Sequence, residues 1–176
     1  MNKRLYVAVL VLVTVAAAGF AQQLSVSQSG VKIDGTVTDK EYALTIPLGR
    51  MTVHLNRTAD TLDMAITAPT TGWVALGFGS DRMDGASLFL GTVQDGKAAL
   101  SQQRGVGHGH REVSAPLAVD YAMTEDKGST TLEMAFKAAD AISAGQRQLM
   151  VLAAYGSSDT ITAYHTARDR VTVSLQ

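Results

Sequence analysis

The chain has 176 residues, with 15 basic and 16 acidic side chains and no cysteine. This near balance of charge excludes the strongly basic surface that nucleic-acid binding requires. The absence of cysteine excludes disulfides, thiolate-bound zinc, iron–sulfur clusters and covalently attached haem. Any metal centre must therefore use histidine, methionine, carboxylate or backbone oxygen ligands.

The first 21 residues have the pattern of a secretory signal peptide. Lys3 and Arg4 form a short basic region, an apolar run follows, and Gly19-Phe20-Ala21 supplies small residues at the cleavage positions. The apolar run is shorter than the ~20 residues that a membrane span usually needs, so we expect cleavage after Ala21, with an uncleaved anchor as the alternative. Residues 22–176 are then one soluble, periplasmic or secreted domain with 13 basic and 16 acidic side chains.

The remaining chain is patterned as short strands separated by turns. Alternation of apolar and polar residues over 51–55 is typical of a half-buried strand, and the continuous apolar run 73–78 is typical of a strand buried on both faces. Asp95-Gly96 is a favoured hairpin turn. The glycine-rich segment 102–114 is predicted to be a surface loop, and 137–142 a short helical turn. The strand candidates are 30–33, 41–46, 51–55, 61–66, 73–78, 86–93, 97–100, 118–123, 130–136, 148–155 and 171–175.

This spacing of about ten residues predicts an all-β fold, an antiparallel immunoglobulin-like β-sandwich of about ten short strands. Four methionines fall within strand patterns and are predicted to be core residues: Met51, Met64, Met134 and Met150. Met83 differs because it follows a strand, in the loop Ser80-Asp81-Arg82-Met83-Asp84-Gly85. Its thioether is a soft ligand that suits a redox metal.

His165 has a similar setting, in a polar segment just before the last predicted strand. A methionine sulfur and a neutral histidine nitrogen are the axial pair of a six-coordinate haem, which favours electron transfer because no coordination position stays open. Met83 and His165 are therefore candidate axial ligands. His108 and His110, within Gly107-His108-Gly109-His110, are a second candidate metal site of the short histidine-tract type.

The segment Gly72-Trp73-Val74-Ala75-Leu76-Gly77-Phe78, followed by Met83-Asp84-Gly85-Ala86, resembles the signature of DOMON domains, which include the haem b cytochrome domain of cellobiose dehydrogenase. Ile33-Asp34-Gly35, Glu41-Tyr42 and Tyr164-His165 resemble the opening and closing segments of bacterial single-domain members. Ser87 departs from the family pattern, in which many members carry an acidic residue.

The resemblance implies a β-sandwich that binds haem b non-covalently, with Met83 and His165 as its iron ligands. The leading hypothesis is an exported electron-transfer module, not an independent enzyme, that serves a separate redox partner protein. The haem propionates would be bound by one or more of three arginines, Arg82, Arg104 and Arg168. The alternative is a non-redox ligand-binding module, in the first place for carbohydrate, with Trp73, Tyr155 and Tyr164 as stacking candidates.

Overall fold

The computed structural model describes residues 22–117 and 119–176, so the predicted signal peptide lies outside the described residues. The described chain forms two sheets and one short helix, α1 (Ala138–Ala141). The strands are β1 (Gln23–Leu24), β2 (Leu44–Leu48), β3 (Met51–Arg57), β4 (Thr61–Ala68), β5 (Val74–Phe78), β6 (Ser87–Gln94), β7 (Lys97–Val106), β8 (Gly109–Glu112), β9 (Val119–Asp126), β10 (Ser129–Lys137), β11 (Gln148–Tyr155) and β12 (Ala167–Leu175).

The two sheets pack as a sandwich. One sheet has seven strands in the order β1-β12-β11-β5-β6-β7-β8, and the other has five in the order β2-β3-β4-β10-β9. All strand pairs are antiparallel except β1 with β12. Between the sheets, Phe78 and Phe89 of the larger sheet meet Phe136 of the smaller one, with ring centroids 5.4 and 4.9 Å from that of Phe136. The predicted all-β sandwich is confirmed.

The predicted surface loop 102–114 is wrong. Most of it is a hairpin in which β7 continues to Val106 and β8 returns from Gly109, with Gly107 (φ +59°) at the turn. The strand candidate 30–33 is also wrong, whereas the short helix and the Asp95-Gly96 turn are confirmed. Pro47 does not end β2, because β2 is an edge strand, where proline is tolerated.

Three of the four methionines predicted for the core are buried there, and Met150 is not. Along β11 the buried residues alternate with partly exposed ones, and Met150 takes a partly exposed position. Its sulfur accepts a hydrogen bond from the Thr172 hydroxyl at 3.1 Å. The prediction failed because β11 is apolar on both faces, so composition alone does not tell which face is the core.

The seven-stranded sheet has a second apolar cluster on its outer face. Val74, Leu76 and Phe78 of β5 belong to the core between the sheets, whereas Ala75 and the preceding Trp73 point the other way. Paired residues of β6 and β11 extend this outer face. We call it the outer cluster; it comprises Trp73, Ala75, Ala86, Leu88 and Leu90, with Met83, Leu152, Ala154 and Ile161 packed against it.

The outer face of the five-stranded sheet is covered by the chain's own N-terminal segment. Glu133 of β10 is fully buried there, and one of its carboxylate oxygens accepts backbone N–H bonds from Asp34, Gly35 and Thr36 at 2.7–3.1 Å. Its other oxygen accepts the Tyr42 hydroxyl at 2.8 Å. Burial of the Tyr42 hydroxyl, followed by its hydrogen bond to Glu133 and the charge of that carboxylate, raises the pKa of Tyr42.

A second buried carboxylate holds the same segment farther along. Asp63 accepts hydrogen bonds from the Val31 backbone at 3.2 Å and from the Asn56 side chain at 2.9 Å. Asn56 in turn donates to the Ser29 carbonyl at 3.1 Å. Within residues 22–117 and 119–176, no helix has the length and apolar character needed to cross a membrane.

We expect Glu133→Gln to lower the free energy of unfolding by roughly 3 kcal/mol, because hydrogen bonds to a charged group stabilise by ~1.5–3 kcal/mol each and buried partners would lose theirs. Chemical denaturation followed by circular dichroism measures this loss. Glu112→Gln is the matched control, since the Glu112 side chain is exposed and accepts only a 3.5 Å bond from Ser101. Equal stability of both variants would contradict the role of Glu133.

Candidate functional site

The loop that carries Met83, residues 79–86, is held in one conformation by polar contacts. We call it the Met83 loop. The Ser80 hydroxyl donates to the Asp84 carbonyl at 2.8 Å, and the Ala86 N–H donates to the Met83 carbonyl at 3.0 Å. The Asp84 carboxylate accepts the Gly107 N–H at 2.8 Å, so the loop is also tied to the β7–β8 turn. Met83 itself is half-buried against the outer cluster.

The Met83 backbone lies directly against Gly105 of β7. The Gly105 N–H and carbonyl bond to Ala86 and Gly85 at 2.9 and 3.0 Å. A Cβ atom at this position would overlap the carbonyl group of Met83. Gly105 is therefore required by this close approach, not by loop flexibility. Residues 101–104 are all polar, so the sequence carries no alternation that would have indicated this part of β7.

The segment that carries His165, residues 156–166, connects β11 to β12. We call it the His165 loop. It is anchored to the start of β5, because the Trp73 N–H donates to the Ser158 carbonyl at 3.0 Å and the Trp73 carbonyl accepts the Gly156 N–H at 2.9 Å. The Thr166 N–H donates to Tyr155 at 2.7 Å, which fixes the residue after His165. Ile161 of this loop packs on the outer cluster.

The strand register places the two loops at opposite ends of the same apolar surface. The Met83 loop follows Phe78 at the end of β5, whereas Val74 at the start of β5 pairs with Tyr155, where the His165 loop begins. At ~3.3 Å per residue, the four steps from Val74 to Phe78 span about 13 Å. Met83 therefore packs at one end of the outer cluster, and the His165 loop lies at its other end.

The environment of His165 favours its neutral, metal-binding form. Partial burial, and then the positive charge of Arg168, lower the pKa of its imidazole from the usual value of 6.5. The imidazole is accordingly uncharged at pH 7, with a nitrogen lone pair available to a metal. The ring also contacts the exposed Tyr164, with centroids 4.2 Å apart.

The three arginines predicted as anion partners have different settings. Arg82 lies 3.7 Å from the Asp81 carboxylate, and Arg104 donates to the Ser87 hydroxyl at 3.3 Å. Arg168 is exposed on β12, opposite Ala154 of the outer cluster. Its neighbour Arg170, which the sequence prediction missed, donates to the Asp81 carbonyl and so links β12 to the Met83 loop.

The histidine-tract site gains no further ligands from the fold. His108 lies at the exposed β7–β8 turn, and His110 contacts the buried Gln103 side chain. Nowhere in the described parts of the chain do three or more His, Cys, Asp or Glu side chains form a group that could hold a metal ion. A haem iron with two protein ligands needs only two side chains. One of them can be a methionine, which a cluster of His, Cys, Asp and Glu does not contain.

Of the three aromatic residues predicted to stack on a sugar, two are buried. Trp73 is 4% exposed beneath the His165 loop, and Tyr155 is 3% exposed in the core. Tyr164 is 82% exposed. Two surface grooves are open and lie away from the outer cluster, one beside Val119 and Phe136 and the other along residues 146–148 and 174–176.

No protein-family model matches the chain, and no curated protein sequence matches it. Solved structures do. The cytochrome b domain of pyranose dehydrogenase from Coprinopsis cinerea is 10% identical, with a TM-score of 0.56, and the match covers 70% of this chain and 76% of that one. The cytochrome domain of Myriococcum thermophilum cellobiose dehydrogenase is also 10% identical, with a TM-score of 0.56 and coverage of 76% and 81%.

The chain shares the fold of these cytochrome domains. A family 9 carbohydrate-binding module from Caldicellulosiruptor kristjanssonii, solved with cellotriose, is similar as well. It is 9% identical, with a TM-score of 0.52 and coverage of 88% of this chain and 94% of that one. The expected structural likeness to the cytochrome domain of cellobiose dehydrogenase is confirmed, and the neighbours are cytochrome and carbohydrate-binding modules.

We expect Gly105→Ala to lower the free energy of unfolding by about 1–3 kcal/mol, because the added methyl group must displace the Met83 backbone. Gly109→Ala, on the paired strand of the same hairpin, is the control. Its Cβ would meet only the Val106 carbonyl at 3.9 Å, an ordinary contact. Thermal unfolding of the two variants measures the difference, and a control as unstable as Gly105→Ala would show that the hairpin merely disfavours alanine.

Proposed function

We propose that this chain is an exported DOMON-type module that binds haem b non-covalently and transfers single electrons, with Met83 and His165 as the axial ligands. The observation that supports the proposal is that Met83 packs at one end of an apolar cluster and the loop that carries His165 lies at the other end, in a fold shared with two cytochrome domains. When bound, the haem supplies a one-electron redox centre without an open coordination position.

The donor set fits this group. A porphyrin needs an apolar lining, and Ala75, Leu88 and Leu90 supply one on the outer face of the sheet. The absence of cysteine fits non-covalent attachment. Met83 and His165 would hold the haem iron, and the group would supply one-electron chemistry there.

The module would be exported and would work with a separate redox protein. Export to the periplasm or the medium would follow from the signal-like residues 1–21. Because a haem with two protein ligands binds no substrate at the iron, the module would be a carrier, not an independent enzyme. An unidentified redox protein would then deliver or remove the electron.

Reconstitution with haemin tests the ligand assignment. Wild-type protein is expected to give a sharp low-spin spectrum. Met83→Leu keeps the apolar volume but removes the sulfur, so it is expected to retain haem with a high-spin or mixed spectrum. His165→Ala is expected to weaken haem binding by more than about tenfold, since even the loss of a ligand's supporting partner costs that much.

The chain offers matched controls for both substitutions. Met150→Leu removes a half-exposed methionine of β11, and His108→Ala removes an exposed histidine of the β7–β8 turn. Both controls are expected to keep the wild-type spectrum. Unchanged low-spin spectra in Met83→Leu and His165→Ala, at wild-type haem affinity, would refute the assignment.

A carbohydrate-binding function is the second candidate, favoured by the likeness to the module solved with cellotriose. Of the three aromatic stacking candidates, Tyr164 is the one that the fold leaves exposed. A sugar stacks on the face of an aromatic ring, so the ring must be accessible to solvent. The exposed Tyr164 ring, beside His165, is where an oligosaccharide would dock.

Calorimetric titration of the haem-free protein with cellotriose tests this second candidate. If it is correct, heat of binding is observed, and Tyr164→Ala lowers the affinity by about fivefold, because an aromatic contact contributes ~1 kcal/mol. Tyr121→Ala, which removes the partly exposed tyrosine of β9, is the control. Absence of heat at millimolar cellotriose would count against a cellulose-type ligand.

A further inference from the structure

We infer that Arg168 binds the carboxylate edge of the haem, so that the site selects a tetrapyrrole with free propionates and orients that edge toward β12. This inference rests on the proposed function. It begins from the position of Arg168 on the outer face of β12, paired with Ala154, which packs on the outer cluster. A cation is thereby placed at the rim of an apolar surface.

The charge of Arg168 has no protein partner within residues 22–117 and 119–176, where its guanidinium makes neither an ion pair nor a hydrogen bond. The neighbouring arginines have protein partners. Arg82 and Arg170 both lie near the Asp81 carboxylate, at 3.7 and 3.9 Å. Arg104 pairs with Ser87, on the strand pair at the other end of the surface. Arg168 is therefore the guanidinium available to an anion at this rim.

The chemistry of the guanidinium then indicates the ligand group. Its planar array of donors binds a carboxylate with two parallel hydrogen bonds, which a lysine cannot reproduce. A ligand that is apolar over most of its area and anionic along one edge matches an apolar cluster with one free arginine beside it. Haem b has this form, whereas a neutral sugar does not.

The distance in sequence also suits this role. Arg168 follows His165 by three residues, with the intervening backbone fixed by the Thr166–Tyr155 hydrogen bond. The arginine and the imidazole thus belong to one chain segment at the same end of the cluster. Arg168 would act as an orienting residue, since it contacts the rim of the haem and not the iron.

Comparison of haemin with its dimethyl ester tests the inference, since the ester retains the ring and iron but carries no propionate charge. Arg168→Gln is expected to weaken haemin binding by about three- to tenfold, a range that reflects partial exposure of the pair. Affinity for the ester is expected to stay unchanged. Arg168→Lys is expected to recover part of the haemin affinity, since it restores the charge but not the planar donor array.

Arg147→Gln, an exposed arginine at the other end of β11, is the control and is expected to bind both compounds as the wild type does. Equal haemin affinity in wild type and Arg168→Gln would overturn the inference, as would a parallel loss for the ester. If haemin gives the wild type its low-spin spectrum in these same titrations, such a result leaves the proposed function intact. A wild type without any haem spectrum would overturn both.

Discussion

The central strands of the seven-stranded sheet are apolar on both faces, and this constraint governs the rest of the molecule. One face of β5, β6 and β11 fills the sandwich, and the other forms the outer cluster. An apolar sheet face cannot be left open to water, because each Å² of exposed apolar surface costs ~25 cal/mol. The Met83 loop and the His165 loop lie against this face through Met83 and Ile161, so the two loops that carry the candidate ligands cover part of it.

The five-stranded sheet meets the same requirement by a different interaction. Its outer face buries the Glu133 carboxylate, and the N-terminal segment covers it by giving that carboxylate three backbone N–H groups and the Tyr42 hydroxyl. These bonds satisfy the buried carboxylate and cover this face with the chain's own atoms. The two outer faces are therefore unlike: one is sealed by polar contacts within the chain, and the other is apolar beneath two loops.

Much of the fold could be predicted because strand signals are local. Alternation identified β3 and β4, and the continuous apolar run identified β5. The errors arose where a distant segment decides the outcome. The glycine content of the Gly105 region predicts a loop, whereas its glycine is required by contact with Met83. Glu133 alternates as an outward-facing polar residue, and only the turn at Gly35 that packs over it makes it buried.

The candidate site, too, can be predicted from the sequence only in part. Met83 and His165 were identified from their residue types and the family resemblance, but the 82 positions between them carry no signal that they border one surface. That relation comes from β11, which pairs with β5 on one side and with β12 on the other. Arg170 could not have been distinguished from Arg168 by sequence, since both face outward on β12 and only the position of Asp81 separates them.

An electron carrier also needs ligands that keep their positions when the iron changes its charge, because rearrangement of ligands slows the transfer. The Met83 loop meets this condition through contacts of its own and through Gly105 and Gly107 of the adjoining hairpin. Two backbone bonds to Trp73 hold the His165 loop. In the proposed role, each of the two ligands would thus be held by contacts between its own loop and the sheet. A sugar-binding surface makes no such demand on a half-buried methionine, so the polar contacts that hold the Met83 loop favour the proposed redox role.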